Sequence, residues 1–412
     1  MQTNKTHLAS TLPFITLCLS VLFLFVIITI LLVGSLISLI RADGQAASQM
    51  IMAFSFGFVN LLLMGCAWFV LEKVRGREQA DLPIRFPFSA RQIFAVFGIV
   101  IISIGIGTVV TLTENQFLGW FLLPILTIFV IVPPIWLIFT IGSNRLELGA
   151  RWRFFSIFGL GITIAPLLII ILEIVVLGVG IILGSVYLAI AQPEMIAEIT
   201  RLADLLSEET NEMVILNLLA PYLANPALIA IGISYIAIIV PLIEELFKPL
   251  AVWLFAKQIE TPAQGFGLGL LSGAAFALFE SLNASADGST SWGVIVTARA
   301  GTSLLHLTTS GLVGWGIVSA FKEKKYGRLI GAYLSAVLIH GIWNAAAAGA
   351  GISAIGESIG KPEWLFNFAP ALLCGLFVLA IGMLAVLIAS NRKLQSLPAP
   401  IHIEEERVQS ST

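Results

Sequence analysis

Residues 229–249 read IAIGISYIAIIVPLIEELFKP. From Ile229 to Ile243 the only polar side chains are Ser234 and Tyr235, and then Glu244, Glu245 and Lys248 follow within little more than one helical turn. The run is apolar enough to enter a bilayer, where only a helix satisfies its own backbone in lipid. Pro249 has no N–H for the carbonyl of Glu245, and Pro241 likewise frees the carbonyl of Ala237, so the helix bends where the acids sit. A charge at bilayer depth costs about 2.5–3.5 kcal/mol on insertion scales unless it is paired or solvated. Three such residues together predict a functional site rather than filler.

The surrounding chain has the same character. Of 412 residues 58% are hydrophobic and only 11% charged, with a mean hydropathy of +0.99. Soluble domains carry about 25% charged residues, so this composition is that of an all-α polytopic membrane protein. A net charge of −2 and the lack of a basic run exclude a nucleic-acid partner. Cys18, Cys66 and Cys374 lie in apolar runs without CxxC spacing and read as small buried hydrophobes, not disulfides or a zinc knuckle. Ten spans are expected, at roughly 12–40, 50–71, 93–112, 117–141, 154–191, 226–256, 264–286, 294–321, 329–350 and 366–390. The stretch from Leu12 to Ile40 is too long for the h-region of a signal peptide and reads as the first span. The fifth is too long for one straight crossing, which predicts tilt, a kink near Pro166 or a protruding end.

With the N-terminus inside, the short loops on the cytoplasmic face collect 17 of the 22 Lys and Arg residues, and the outer loops only Arg41, Arg201 and Lys361. Lys248 and Arg299 lie within spans. The bias predicts a cell-membrane protein with both termini cytoplasmic. In the outer loop, residues 192–225, Ile196, Ile199, Leu202, Ala203 and Leu206 recur at helical spacing opposite a face of acids, which predicts an amphipathic helix. The expected organisation is a five-helix region at 1–191, that outer loop, a catalytic core at 226–350, an outer loop and last helix at 351–390, and a disordered cytoplasmic tail at 391–412.

Five further polar residues fall in the next three spans: Glu280, Arg299, His306, His340 and Asn344. Counted from the cytoplasmic helix ends, Glu244 lies about 20 Å deep, Glu280 and His306 about 24 Å, and His340 about 17 Å. Four helices therefore bring an acid or an imidazole to one slab near the midplane. Two adjacent carboxylates would not both ionise unaided, and Lys248, one turn after Glu244, is placed to neutralise it. His340 and Asn344 are four apart and share a helical face.

EExxK at Glu244–Lys248, FxxxE at Phe276–Glu280, HxxxxxxxG at His306–Gly314 and HxxxN at His340–Asn344, in that order on successive helices, resemble the PrsW family of intramembrane proteases. That family is related to the CAAX-processing and bacteriocin-processing membrane proteases. The resemblance covers about residues 226–350. It departs at Ala284, where an aromatic often stands four residues after the FxxxE glutamate. It implies hydrolysis of peptide bonds in membrane-anchored protein substrates, such as anti-sigma factors, at a site in contact with the lipid bilayer.

The residue types suit that chemistry in two versions. In one, Glu244 or Glu245 activates water as general base, His306 and Glu280 position that water or carry its proton, and His340 with Asn344 stabilises the oxyanion. In the other, Glu244, His306 and His340 form the three-ligand set of a catalytic zinc. No HExxH motif favours the metal. Lys248 and Arg299 read as supporting residues, and a salt bridge from Arg299 to Glu280 is a purely structural alternative for both. A proton-coupled transporter using the same Glu/His cluster is the rival function. Glu173 and Glu357 read as structural or surface groups.

Overall fold

The computed structural model describes residues 3–77, 89–209, 211–359 and 367–395. Among them there is no strand, and ten helical segments are long and apolar enough to cross a membrane. The first four are α1 (Thr3–Arg41), α2 (Ala46–Val74), α3 (Ala90–Leu112) and α4 (Gln116–Gly142). Next comes α5 (Arg151–Ala191), a helix of 41 residues and so about 60 Å long, twice the hydrocarbon thickness. It runs unbroken through Pro166, and its buried residues end at Ile169, so the far half projects away from the protein core. That is the protruding end expected for an overlong span.

The outer loop folds as two helices, α6 (Pro193–Glu208) and α7 (Glu212–Leu223). None of the α6 residues is buried, as suits an amphipathic element outside the bundle. The Tyr222 hydroxyl donates to Glu198 at 2.8 Å and ties the two helices together; that bond also raises the phenol's pKa.

The sixth span is broken as the prolines require. It comprises α8 (Pro226–Ser234), a π-helical turn at Tyr235–Ile239, α9 (Val240–Phe247) and α10 (Leu250–Phe255). The π turn lies immediately before Pro241 and the α9–α10 break falls at Lys248–Pro249, so both interruptions sit where an N–H is missing. Side chains from other helices take up the freed backbone. Ser272 donates to the carbonyl of Lys248 at 2.6 Å, Asn344 to that of Ile236 at 3.1 Å, and Tyr333 to that of Leu242 at 2.8 Å. Irregular backbone at membrane depth survives only with such partners.

The remaining spans are α11 (Pro262–Ala284), α12 (Trp292–Glu323), α13 (Tyr326–Ile359) and α14 (Ala369–Gln395). The helix α13 continues past the expected end at 350, and α14 runs five residues beyond 390, so the start of the supposed tail is helical; its reading from 396 onward lies outside the described residues. At the centre of the bundle stand α11 and α12, with 89% and 78% of their apolar windows buried. Gly265, Gly269 and Gly273 make a seam on α11 that lets the two backbones touch. A Cβ at Gly269 would meet the carbonyl oxygen of Ser310 at 2.3 Å, and one at Gly273 would meet that of His306 at 2.3 Å. Small residues at such spacing are how membrane helices approach closely, and here they fix His306 against α11.

Candidate active site

Four elements meet at one polar centre. The ammonium of Lys248 at the end of α9 is fully buried and stands 2.9 Å from Glu244 Oε2 and 2.8 Å from Glu245 Oε1. It is also 2.9 Å from Nδ1 of His306 on α12 and 3.4 Å from Nδ1 of His340 on α13. The ring of Phe276 on α11 lies 4.9 Å beneath it, a cation–π contact that closes the remaining side. The two imidazoles pack edge to face with centroids 5.7 Å apart.

The donor inventory assigns the tautomers. An ammonium only donates, so Nδ1 of His306 accepts from Lys248 and its protonated Nε2 stands 2.7 Å from Glu280 Oε2. His340 places Nδ1 at 2.7 Å from Glu245 Oε1, so that nitrogen donates and Nε2 carries the lone pair, 3.9 Å from Glu244 Oε2. Arg299 Nη2 forms an ion pair with the same Glu280 oxygen at 2.7 Å. A continuous chain therefore runs Arg299–Glu280–His306–Lys248–Glu245–His340, with Glu244 attached at the lysine.

Exposure is graded along this chain. The side chains of Glu280, Arg299 and Glu244 are 33%, 18% and 9% accessible, whereas Glu245 and Lys248 are wholly enclosed. The cluster is thus accessible from the Glu280–Glu244 edge. Arg299 lies seven residues into α12, about 10 Å from its beginning, so this edge opens toward the end of the bundle opposite the Lys- and Arg-rich loops.

Of the residues singled out from sequence, Glu244, Glu245, Lys248, Glu280, Arg299, His306 and His340 come together. The salt bridge from Arg299 to Glu280 exists, but it does not withdraw Glu280, whose same oxygen contacts His306. Asn344 is different: one of its two amide N–H groups donates to the carbonyl of Ile236 in the π turn. Glu173, read from sequence as a structural group, lies within electrostatic reach of Glu244, Glu280 and Lys248, and its carbonyl accepts from Tyr235 of the π turn at 3.0 Å. Its place at the end of the buried half of α5 is a tertiary fact that no local motif announces.

A catalytic metal can be tested against this geometry. Two imidazoles and two carboxylates around one point are the donor types of a zinc site, with bonds of about 2.0–2.2 Å. Here that point holds the Lys248 ammonium, at hydrogen-bond distances from all four groups. A divalent ion would have to sit beside a buried cation or displace it. Among the described residues no group of three His, Cys, Asp or Glu side chains is set out to hold an ion. The arrangement fits an ammonium and not a metal.

Comparison with curated proteins and with solved structures finds no match. Comparison with protein families matches residues 150–381, from the first turn of α5 into α14, to the PrsW family intramembrane metalloproteases. The matched region takes in every residue of the polar centre and more than half of the 412 residues, and the chain belongs to the PrsW family of intramembrane proteases.

Proposed function

We propose that the chain is an endopeptidase that cleaves membrane-anchored protein substrates with a carboxylate-activated water, and that Glu244 is the general base. The observation that carries this reading is the division of labour within the pair. Glu245 is enclosed and committed to Lys248 and His340, while Glu244 stands at the accessible edge of the cluster. Glu244 takes a proton as the water oxygen adds to the scissile carbonyl carbon. The same proton passes to the leaving amine, the C–N bond breaks, and the oxyanion collapses to the new carboxylic acid, which then gives its proton to the released amine. The fixed positive charges of Lys248 and Arg299 oppose the developing negative charge in a site of low dielectric. His306, held between Lys248 and Glu280, keeps both in place. These cations share the oxyanion role read for Asn344, which has turned one of its two amide N–H groups to the Ile236 carbonyl.

The test uses purified protein in proteoliposomes with a single-span reporter. Glu244→Gln should lower the cleavage rate by about 10²–10⁴, the usual range for a lost general base, and His340→Ala should also abolish it, with both variants still inserted. Retained cleavage in both variants would refute the assignment. Proton- or substrate-dependent flux without any cleavage would favour a transporter.

A further inference from the structure

Behind α11, on the side away from the polar centre, a cavity of about 570 Å³ opens between α2, α4, α5 and α11. Its volume is within the range of small-ligand pockets, roughly 300–1,000 Å³. The walls are aromatic and aliphatic, among them Phe58, Phe69, Trp136, Phe155 and Leu278, and the one charged lining residue is Arg151. From Phe58 to Phe69 the α2 wall spans eleven residues, about 16 Å along the helix. That is about half of a hydrocarbon core of roughly 30 Å, so the cavity has the depth of one leaflet.

Its charged end is distinctive. Arg151 makes no ion pair or hydrogen bond with a described residue, and it is the first residue of α5, whose N-terminus has no side-chain cap. The first N–H groups of that helix have no intrahelical acceptor and carry the positive end of the helix dipole. In the flanking stretches 72–77 and 145–153, Lys73, Arg75, Arg77, Arg145, Arg151 and Arg153 outnumber Glu72 and Glu147. An apolar slot one leaflet deep, with Arg151 in its lining and basic stretches flanking it, has the chemistry that selects an anionic lipid headgroup over a zwitterionic one.

We propose that this cavity binds an acyl chain of an anionic phospholipid, with the phosphate held by Arg151 and the N-terminus of α5. The bound chain would brace the back of α11, the helix that presents Ser272 and Phe276 to Lys248 on its other side. The proposal does not depend on the catalytic assignment and is tested without it. Delipidated protein in detergent is titrated with phosphatidylglycerol and with phosphatidylcholine of the same chains, and adducts are counted by native mass spectrometry. Wild type should hold one phosphatidylglycerol about fivefold or more tightly than phosphatidylcholine. Arg151→Gln should bring the two to parity, and Ala274→Phe, which fills the slot, should remove both. Equal retention of the two lipids by wild type, or a phosphatidylglycerol adduct unchanged in Arg151→Gln, would mean annular lipid only and overturn the proposal. Should Ala274→Phe fail to fold, Arg151→Gln decides alone, since its side chain lies at a helix end outside the packed core.

Discussion

Lys248 holds the site together because one buried ammonium answers two adjacent carboxylates. Removing one partner of a buried ion pair leaves uncompensated charge and costs about 3–5 kcal/mol. Lys248→Met should therefore abolish cleavage and lower the thermal midpoint sharply, measured by fluorescence in detergent. Lys248→Arg should not restore activity: a planar guanidinium cannot fill a point from which three acceptors and an aromatic face are reached at once. The same geometry gives an expectation about metals. Cleavage should persist after extensive chelation, and purified protein should carry less than stoichiometric zinc. Stoichiometric zinc lost together with activity would show that Lys248 yields its place. Sequence alone carried the identity of these residues, since ionisable groups so deep in apolar runs have few roles. It did not carry which nitrogen faces which oxygen, because that depends on four helices meeting.

At the scale of elements, the site depends on how closely α11 and α12 approach. The Gly265–Gly269–Gly273 seam faces α12, and a side chain at Gly269 would drive into the Ser310 carbonyl at 2.3 Å. Backbone cannot yield as a flexible side chain does, so Gly269→Val should separate the helices and move His306 away from Glu280. Overpacking of this kind costs about 1–3 kcal/mol. We expect a stability loss of that order in a thermal or chemical melt, with a disproportionate fall in kcat. The π turn illustrates the opposite limit of legibility. Pro241 marks a bend in the sequence, but the extra residue that makes the turn, and the Ile236 carbonyl it releases, follow from packing against α13. A Cβ at Gly341 would meet the Ala237 carbonyl at 2.3 Å, which shows how near that contact is. HxxxN spacing fixes the helical face of Asn344 and leaves open whether the other helix offers a substrate or a carbonyl such as that of Ile236.

For the whole molecule, the ten spans were readable because lipid leaves the backbone few alternatives to helices about 20 residues long. The interruption of the sixth was readable from its prolines, while the paired helices of the outer loop and the depth of α14 were set by contacts beyond any local window. For orientation we rely on charge and predict both termini inside. Seventeen Lys and Arg residues fall in the loops this places inside and three in those it places outside, as the positive-inside rule favours. The accessible edge at Glu280 and Glu244 would then open toward the outside, and the slot headed by Arg151 would take lipid from the inner leaflet. With Cys18, Cys66 and Cys374 replaced by Ser, a cysteine introduced at Ser207 should react with a membrane-impermeant maleimide on intact cells. One introduced at Lys324 should react only after permeabilisation. The reverse pattern would turn the molecule over, exchanging the leaflet that supplies the lipid and the side from which water and substrate reach Glu244.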